Sequence, residues 1–353
     1  MPELIEGPSP LPTAFAVSLP HSLLSAISLM CAADEYEGLG EWLYQARARL
    51  AAEVFAETCT VVRFPGQHHR FFGELAARLP RNSFDMNFDQ FIQHLRAIPG
   101  VHYQLIALRA LARGSTLPRK PVDLLELSGE SAEWAAFLRG IGSEVAPEVV
   151  ATLVRKDGEI KNRLLRAVER FWSDAYAEEF QATLPLLEQS VADHRAQSTR
   201  APFQETFTRT TGRLLPEAIA ELLPKMAAVT FLPSCYVGPY VAYIRAGSQL
   251  LLFYNCRSTP GVATALDGAS LYPPLKALSD ETRLQILTLL QDGELYAQEI
   301  VDQLDISQPA VSRHLNLMAA AGVLQIRREG NAKFYSVNRQ TLIRLADALR
   351  ALS

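Results

Sequence analysis

Two hydrophobic periods alternate along the chain, and the points where they change divide it. From about Ser22 to Met226 apolar residues recur three and four positions apart with polar residues between them, the spacing of helices that bury one face. In Glu41 to Thr58, Leu43, Ala46, Leu50 and Val54, joined by Ala51 and Phe55, form one stripe, while Arg47, Arg49 and Glu53 fall elsewhere. Similar segments cover roughly 67–79, 85–97, 100–113, 131–140, 145–155, 159–182, 184–197 and 214–228, punctuated by Pro65-Gly66, Pro80, Pro99-Gly100 and Pro118. The pattern predicts a helical bundle with short connections between antiparallel neighbours. Residues 1–21, acidic and proline-rich, read as a loose lead-in.

After Ala227 the period shortens. Val229–Pro233, Tyr240–Ala246 and Gln249–Asn255 are rich in Val, Tyr, Phe and Leu, and Gly247-Ser248 between the last two suits a tight hairpin. A small antiparallel sheet is expected there, closing a unit over 22–255. Residues 256–270 hold Gly, Pro, Ser and Thr with little apolar pattern and read as a linker.

From Tyr272 onward the local signals agree with one another. Pro273-Pro274 can open a helix whose apolar face is Leu275, Leu278, Leu284, Leu287 and Leu290, with Ser279 or Asp280 able to cap a restart. Leu295–Gln303 is a short helix ending at the Asp305-Ile306 turn. Ser307 is a suitable N-cap, and Pro309 falls in the first turn of the next helix, where a missing N–H costs little. That helix, Gln308–Ala320, turns Val311, Leu315 and Met318 inward, leaving Gln308, Pro309, Ser312, Arg313 and Asn316 on the opposite face. Val323–Arg328 and Lys333–Val337 flank a Glu329-Gly330-Asn331 turn, predicting a β-hairpin with Arg327, Arg328 and Lys333 near its tip, and Thr341–Leu352 is a closing amphipathic helix. The fold expected is mainly α with small β elements, in which residues 271–353 form a winged helix-turn-helix.

Such a helix pair fits the major groove of double-stranded DNA. Gln308 can pair with adenine and Arg313 with guanine; Ser312 and Asn316 donate or accept according to the base. Ser307, Pro309, Asn331 and the wing cations complete the candidate DNA surface. His314 lies beside that face, where a phosphate contact and a packed, hydrogen-bonded imidazole are both compatible with the spacing.

The run LKALSDETRLQIL, the recognition helix SQPAVSRHL and the wing GVLQIRREGNAKFY resemble the ArsR-type winged-helix transcription regulators. The resemblance implies operator binding as a homodimer, usually to repress, with Leu275–Leu290 and Thr341–Leu352 forming the dimer contact. It covers about 80 residues; the longer architecture is similar to ArsR-type regulators that carry a helical N-terminal domain of uncharacterised role. Metal-sensing members place a cysteine pair in ELCVCDL, whereas this chain reads ELYAQEI, with Tyr296 and Gln298 at the thiolate positions, and residues 338–353 contain no His. No metal or cofactor is therefore expected, and any effector, such as a small molecule, falls to the N-terminal domain.

Composition adjusts this reading in one respect. The formal net charge is -4 over 353 residues, which argues against a chain that coats nucleic acid. Residues 307–339 nevertheless carry five basic groups against Glu329, while 280–305 carry seven acids against Arg283, so a basic face is set against an acidic one. The four cysteines form no CxxC pair, which fits a reducing cytoplasm, and no apolar run is long enough to span a membrane.

Other candidates read most simply as structure. Gln67-His68-His69-Arg70 starts a helix, and adjacent histidines point about 100° apart, unlike a chelating i, i+4 pair. His94 and His102 flank Pro99-Gly100 and could meet. Trp42, Trp134 and Trp172, with Phe71, Phe72, Phe88, Phe91 and Tyr103, line either a ligand pocket or the core. Cys235 and Cys256 follow two predicted strands and would form a redox pair if those strand ends coincide; buried thiols are the alternative. Motifs for a nucleophile elbow, P-loop, dinucleotide fold or zinc protease are missing, and the chain is not expected to be an enzyme. Two further readings stay open at this level: a protein-interaction module whose winged helix serves protein contacts, and an enzyme fused to a DNA-binding tail.

Overall fold

The computed structural model describes residues 11–63, 68–112, 131–140, 146–148, 150–151, 159–196, 201–213, 215–256, 268–329 and 332–350. Within the first half, α1 (Leu19–Cys31) encloses Leu23, Leu24, Ala26, Ile27 and Met30 on all sides, as expected of a helix apolar around most of its circumference. Around it pack α2 (Trp42–Arg49), α3 (Ala52–Arg63), α4 (His68–Ala76) and α5 (Phe88–Ala97), followed by α6 (Gly100–Ala112) and α7 (Ser131–Gly140). Asn87 caps α5 through a reciprocal capping box with Gln90. The stripe over 41–58 is kept but its axis breaks: Leu50 is extended and buried between α2 and α3.

A long helical run then crosses the bundle. The amphipathic α8 (Glu159–Phe171), burying Ile160, Leu164, Val168 and Phe171, passes through a π-turn at Trp172–Tyr176 into α9 (Ala177–Ala196). Pro185 lies inside α9 without ending it. The wide turn brings Phe171, Trp172 and Tyr176 together against Trp42, Phe180 and Tyr236. The aromatics considered for a pocket are thus core: Phe71, Phe72, Phe91, Tyr103 and Trp134 are fully buried, with Trp42, Phe88 and Trp172 packed against them.

After α10 (Phe203–Thr211) and the short α11 (Glu217–Ala220), the sheet runs in the order β1-β2-β4-β3, with β1 Thr13–Phe15, β2 Ala228–Ser234, β3 Ala242–Ala246 and β4 Gln249–Asn255. The β3–β4 hairpin is antiparallel, with Gly247 at φ 61° in its turn, as the Gly-Ser pair predicted. The sheet as a whole is mixed, because β1 and β4 both pair with β2 in parallel. Val229–Ser234 and Leu250–Tyr254 are unbroken buried runs; such runs suit parallel strands covered on both faces but carry no directional signal of their own. The expected loose lead-in is likewise corrected: its residues Thr13–Phe15 form an edge strand, and Phe15 stacks on Phe231 and His194.

Most of the expected linker, 257–267, lies outside the described residues. Helix α12 (Gly268–Leu278) opens earlier than the proline pair suggested, so Pro273 and Pro274 sit inside it. Asp280 restarts the chain as the N-cap of α13 (Glu281–Leu289), accepting from the Arg283 N–H at 3.0 Å. There follow β5 (Leu295–Tyr296), α14 (Ala297–Leu304), α15 (Gln308–Ala320), β6 (Leu324–Glu329), β7 (Ala332–Val337) and α16 (Arg339–Arg350), with sheet order β5-β7-β6. A separate core of Ala277, Ile286, Leu290, Ile300, Val311, Leu315, Met318, Val323, Leu324 and Tyr335 holds this winged helix-turn-helix together. Among the described residues no helix is long and apolar enough to cross a membrane.

Candidate nucleic-acid interface

Helix α15 is positioned from both ends. Asp305 ends α14 in the left-handed conformation at φ 52°, a geometry that acidic and amide side chains tolerate better than most, and turns the chain sharply into Ser307. Ser307 occupies the N-cap with an extended backbone, yet its hydroxyl makes no capping hydrogen bond. One of its two usual donors is absent because Pro309 stands at N2. The hydroxyl therefore remains on the surface with the side chains of Gln308, Pro309 and Ser312. Val311, Leu315 and Met318 are fully buried on the opposite side, as their spacing predicted, and Arg313 and Asn316 are half-buried at the margin of the polar face.

The wing is less simply cationic than its sequence. Arg327 is exposed, but its Nε donates to both carboxylate oxygens of Glu294 at 3.0 Å, its Nη2 makes a further short hydrogen bond to the same carboxylate, and its guanidinium lies 4.5 Å over the Phe334 ring. The Arg327 hydrogen bond holds the Glu294 carboxyl below the usual carboxylate range. Lys333 is exposed on β7 in register with Arg328; the Arg328 side chain and the Gly330-Asn331 tip lie outside the described residues. Neither the aromatic stack nor the Glu294 pair was foreseen. The signal for both was an acid just ahead of β5 and a Phe on the strand paired with Arg327.

His314 resolves toward neither alternative cleanly. It turns away from the polar face to a segment of the first half, where its Nδ1 is buried without a hydrogen-bond partner and lies 3.7 Å from Glu37 Oε1. The other oxygen of Glu37 accepts from Arg283 Nη1 at 2.9 Å. Arg283 is almost wholly buried and also donates to the carbonyls of Ala277 and Lys276, so three acceptors fix its guanidinium. Next to this contact, a Cβ built on Gly38 would lie 3.7 Å from Leu317 Cδ1, and Leu317 is buried. Segment 36–40 thus covers the flank of α15 that carries His314 and Leu317 and leaves Gln308 and Ser312 exposed.

Other candidates are distributed elsewhere. His94 Nε2 meets the Arg78 carbonyl at 3.2 Å rather than His102. His68, His69 and Arg70 begin α4, with side chains outside the described residues, as is Gln67. No group of three or more His, Cys, Asp or Glu residues suited to a metal ion stands among the described residues. Cys235 and Cys256 do meet, with Sγ atoms 2.9 Å apart.

A helix with one buried and one polar face, a preceding tight turn and a β-hairpin wing define a winged helix-turn-helix DNA-binding domain. Residues 280–325 match the family model described as bacterial regulatory protein, arsR family, and the chain belongs to that family through this segment. It is 42% identical over 67 residues to the transcriptional repressor SdpR of Bacillus subtilis (strain 168), covering 19% of this chain and 74% of the relative. To an uncharacterized HTH-type transcriptional regulator of Methanocaldococcus jannaschii it is 40% identical over 78 residues, 21% of this chain and 88% of the relative. The transcriptional activator HlyU of Vibrio cholerae is 36% identical over 78 residues, 22% of this chain and 72% of its own length. The relatives are transcriptional regulators, and the matches lie in the C-terminal part of the chain.

Proposed function

We propose that this protein is a transcriptional repressor that binds a palindromic operator in the cytoplasm as a homodimer. Its parts are a helical domain over 13–256, closed by the mixed sheet, that receives a non-metal signal or mediates assembly, a linker over 257–267, and the winged helix over 268–353. The observation that carries the reading is the exposed polar N-terminal face of α15, Ser307, Gln308, Pro309 and Ser312 with Arg313 at its margin, set on a fully packed helix. Arg313 and Gln308 read bases; Asn316 supports them; Lys333, Arg328 and Asn331 meet phosphate or the minor groove, with Arg327 oriented by Glu294. Four apolar side chains support the dimer: Leu275, Leu284, Ile343 and Leu349 stand exposed on the first two helices and the last helix of the winged-helix domain.

Selection of genomic fragments by the full-length protein tests this. The expected outcome is recovery of a small set of inverted repeats, one of them close to the protein's own promoter. Recovery of fragments without a shared sequence would contradict it.

A further inference from the structure

The two parallel strands β2 and β4 pair in register up to Ser234 and Asn255, and the Cys256 N–H extends the ladder to the Ser234 carbonyl at 3.0 Å. Cys235 and Cys256 are the next residues on each strand, so neighbouring strands about 4.8 Å apart deliver both side chains to one place. Cys256 is buried and Cys235 is half-buried, so Cys235 is the more accessible residue of the two. The winged helix makes no use of either.

We propose that Cys235 and Cys256 are a redox-active dithiol that a hydroperoxide closes to a disulfide. The Cys235 thiolate attacks the outer peroxide oxygen; the O–O bond breaks, and the alcohol, or water from hydrogen peroxide, leaves with a proton. Cys235 is then a sulfenic acid. The Cys256 sulfur attacks it, the S–O bond breaks, and water leaves with the Cys256 proton. Two thiols lose two electrons, the peroxide gains them, and one S–S bond forms. Its sulfurs start 2.9 Å apart and finish at about 2.05 Å, so closure asks for a shift below 1 Å between strands already at disulfide spacing.

The position of the pair gives its oxidation a route outward. Cys235 begins the segment that interlocks with residues 36–40. Gly40 N–H donates to the Tyr236 carbonyl at 2.9 Å, and a Cβ on Gly40 would stand 2.7 Å from the Cys235 carbonyl oxygen. A Cβ on Gly238 would stand 1.9 Å from the Gly38 oxygen, and Tyr240 Oη donates to the Glu37 carbonyl at 2.8 Å. With backbone against backbone and no side chain between, a shift at Cys235 is passed on rather than absorbed. Glu37 and Gly38 then touch Arg283, His314 and Leu317. Oxidation therefore alters DNA affinity, a consequence that rests on the DNA-binding reading above.

The test treats the full-length protein with stoichiometric hydrogen peroxide and measures thiols, cross-linked peptides and DNA affinity together. The expected result is loss of two of the four thiols, a non-reduced peptide joining Cys235 to Cys256, and a change in affinity of about 5- to 150-fold in either direction, reversed by dithiothreitol. Cys235→Ser and, separately, Cys256→Ala should each abolish both cross-link and shift. An unchanged thiol count, or a cross-link through Cys31 or Cys59, overturns the site. A correct cross-link with unaltered DNA affinity overturns the coupling. A correct cross-link in a protein that binds no DNA in either state leaves the dithiol standing and refutes the DNA-binding reading instead.

Discussion

The two halves of this molecule place their polar chemistry oppositely. In the winged helix, Gln308, Ser312, Arg327 and Lys333 stand on the surface, and among the described residues the buried interior is apolar apart from Arg283 and Asn338. In the first half, polar groups are drawn inward. His21 is buried, with Nδ1 2.7 Å from Ser18 Oγ and its ring on Phe84. His194 stacks on Phe15 and shares a buried network with Ser190 and Tyr254. Buried polar groups are costly unless satisfied, and they fix one packing among several. One half is thus built to meet a charged partner through its surface, and the other to hold a particular internal arrangement.

The largest effect is expected where surface chemistry meets assembly. Replacing Leu284 and Ile343 by Glu should leave a folded protein, because both side chains are exposed, yet split the dimer and weaken operator binding about 100-fold or more through loss of the second half-site. Sedimentation and fluorescence anisotropy would check this; a dimer that survives both changes would remove the proposed interface. Next in size, Arg313→Ala with Gln308→Ala should cost about 1–3 kcal/mol for each base no longer read, and should reduce specific binding far more than non-specific binding. Equal weakening on all sequences would reduce the pair to phosphate-binding groups.

Acid should separate the two halves. Burial pushes the His21 imidazole down to about 4 from its ordinary 6.5, so below about pH 6.5 the unfolded chain takes up a proton that the folded chain refuses. Stability is intact above that range and falls as the pH drops toward 4. The loss from this group is roughly 2 kcal/mol between pH 7 and pH 5. Denaturant unfolding at the two pH values measures it, and His21→Phe should flatten the dependence. The smallest effect concerns the wing: Lys333→Ala should lower the salt slope of DNA binding by about one, whereas Glu294→Gln, by releasing the Arg327 guanidinium from its carboxylate, should raise affinity slightly on every sequence.

This contrast also explains what could be read in the sequence. The core and polar faces of α15, the restart at Asp280, and the β3–β4 hairpin follow from short-range rules: helical spacing, a capping side chain, a Gly-Ser turn. The parallel register of β2 with β1 and β4 was not legible, since an apolar run has no direction and Thr13 lies far from Val229 along the chain. For the same reason the meeting of Cys235 with Cys256 was conditional on strand ends coinciding. The ion pair of Glu37 with Arg283 joins residues 246 positions apart, and no local pattern could indicate it. In the candidate interface, spacing placed Gln308, Pro309 and Ser312 on a face that is exposed and Arg313 and Asn316 at what proves its half-buried margin, and could not foresee that segment 36–40 covers one flank, turning His314 away from solvent.

The central claim is that α15 of two subunits reads one operator. Hydroxyl-radical footprinting of the full-length protein on a selected fragment tests it most directly. Two protected half-sites are expected, with centres about 34 Å apart on one face of the duplex, and their backbone protection is lost in the Arg313→Ala protein. Uniform protection along the fragment, unchanged by that substitution, would contradict it.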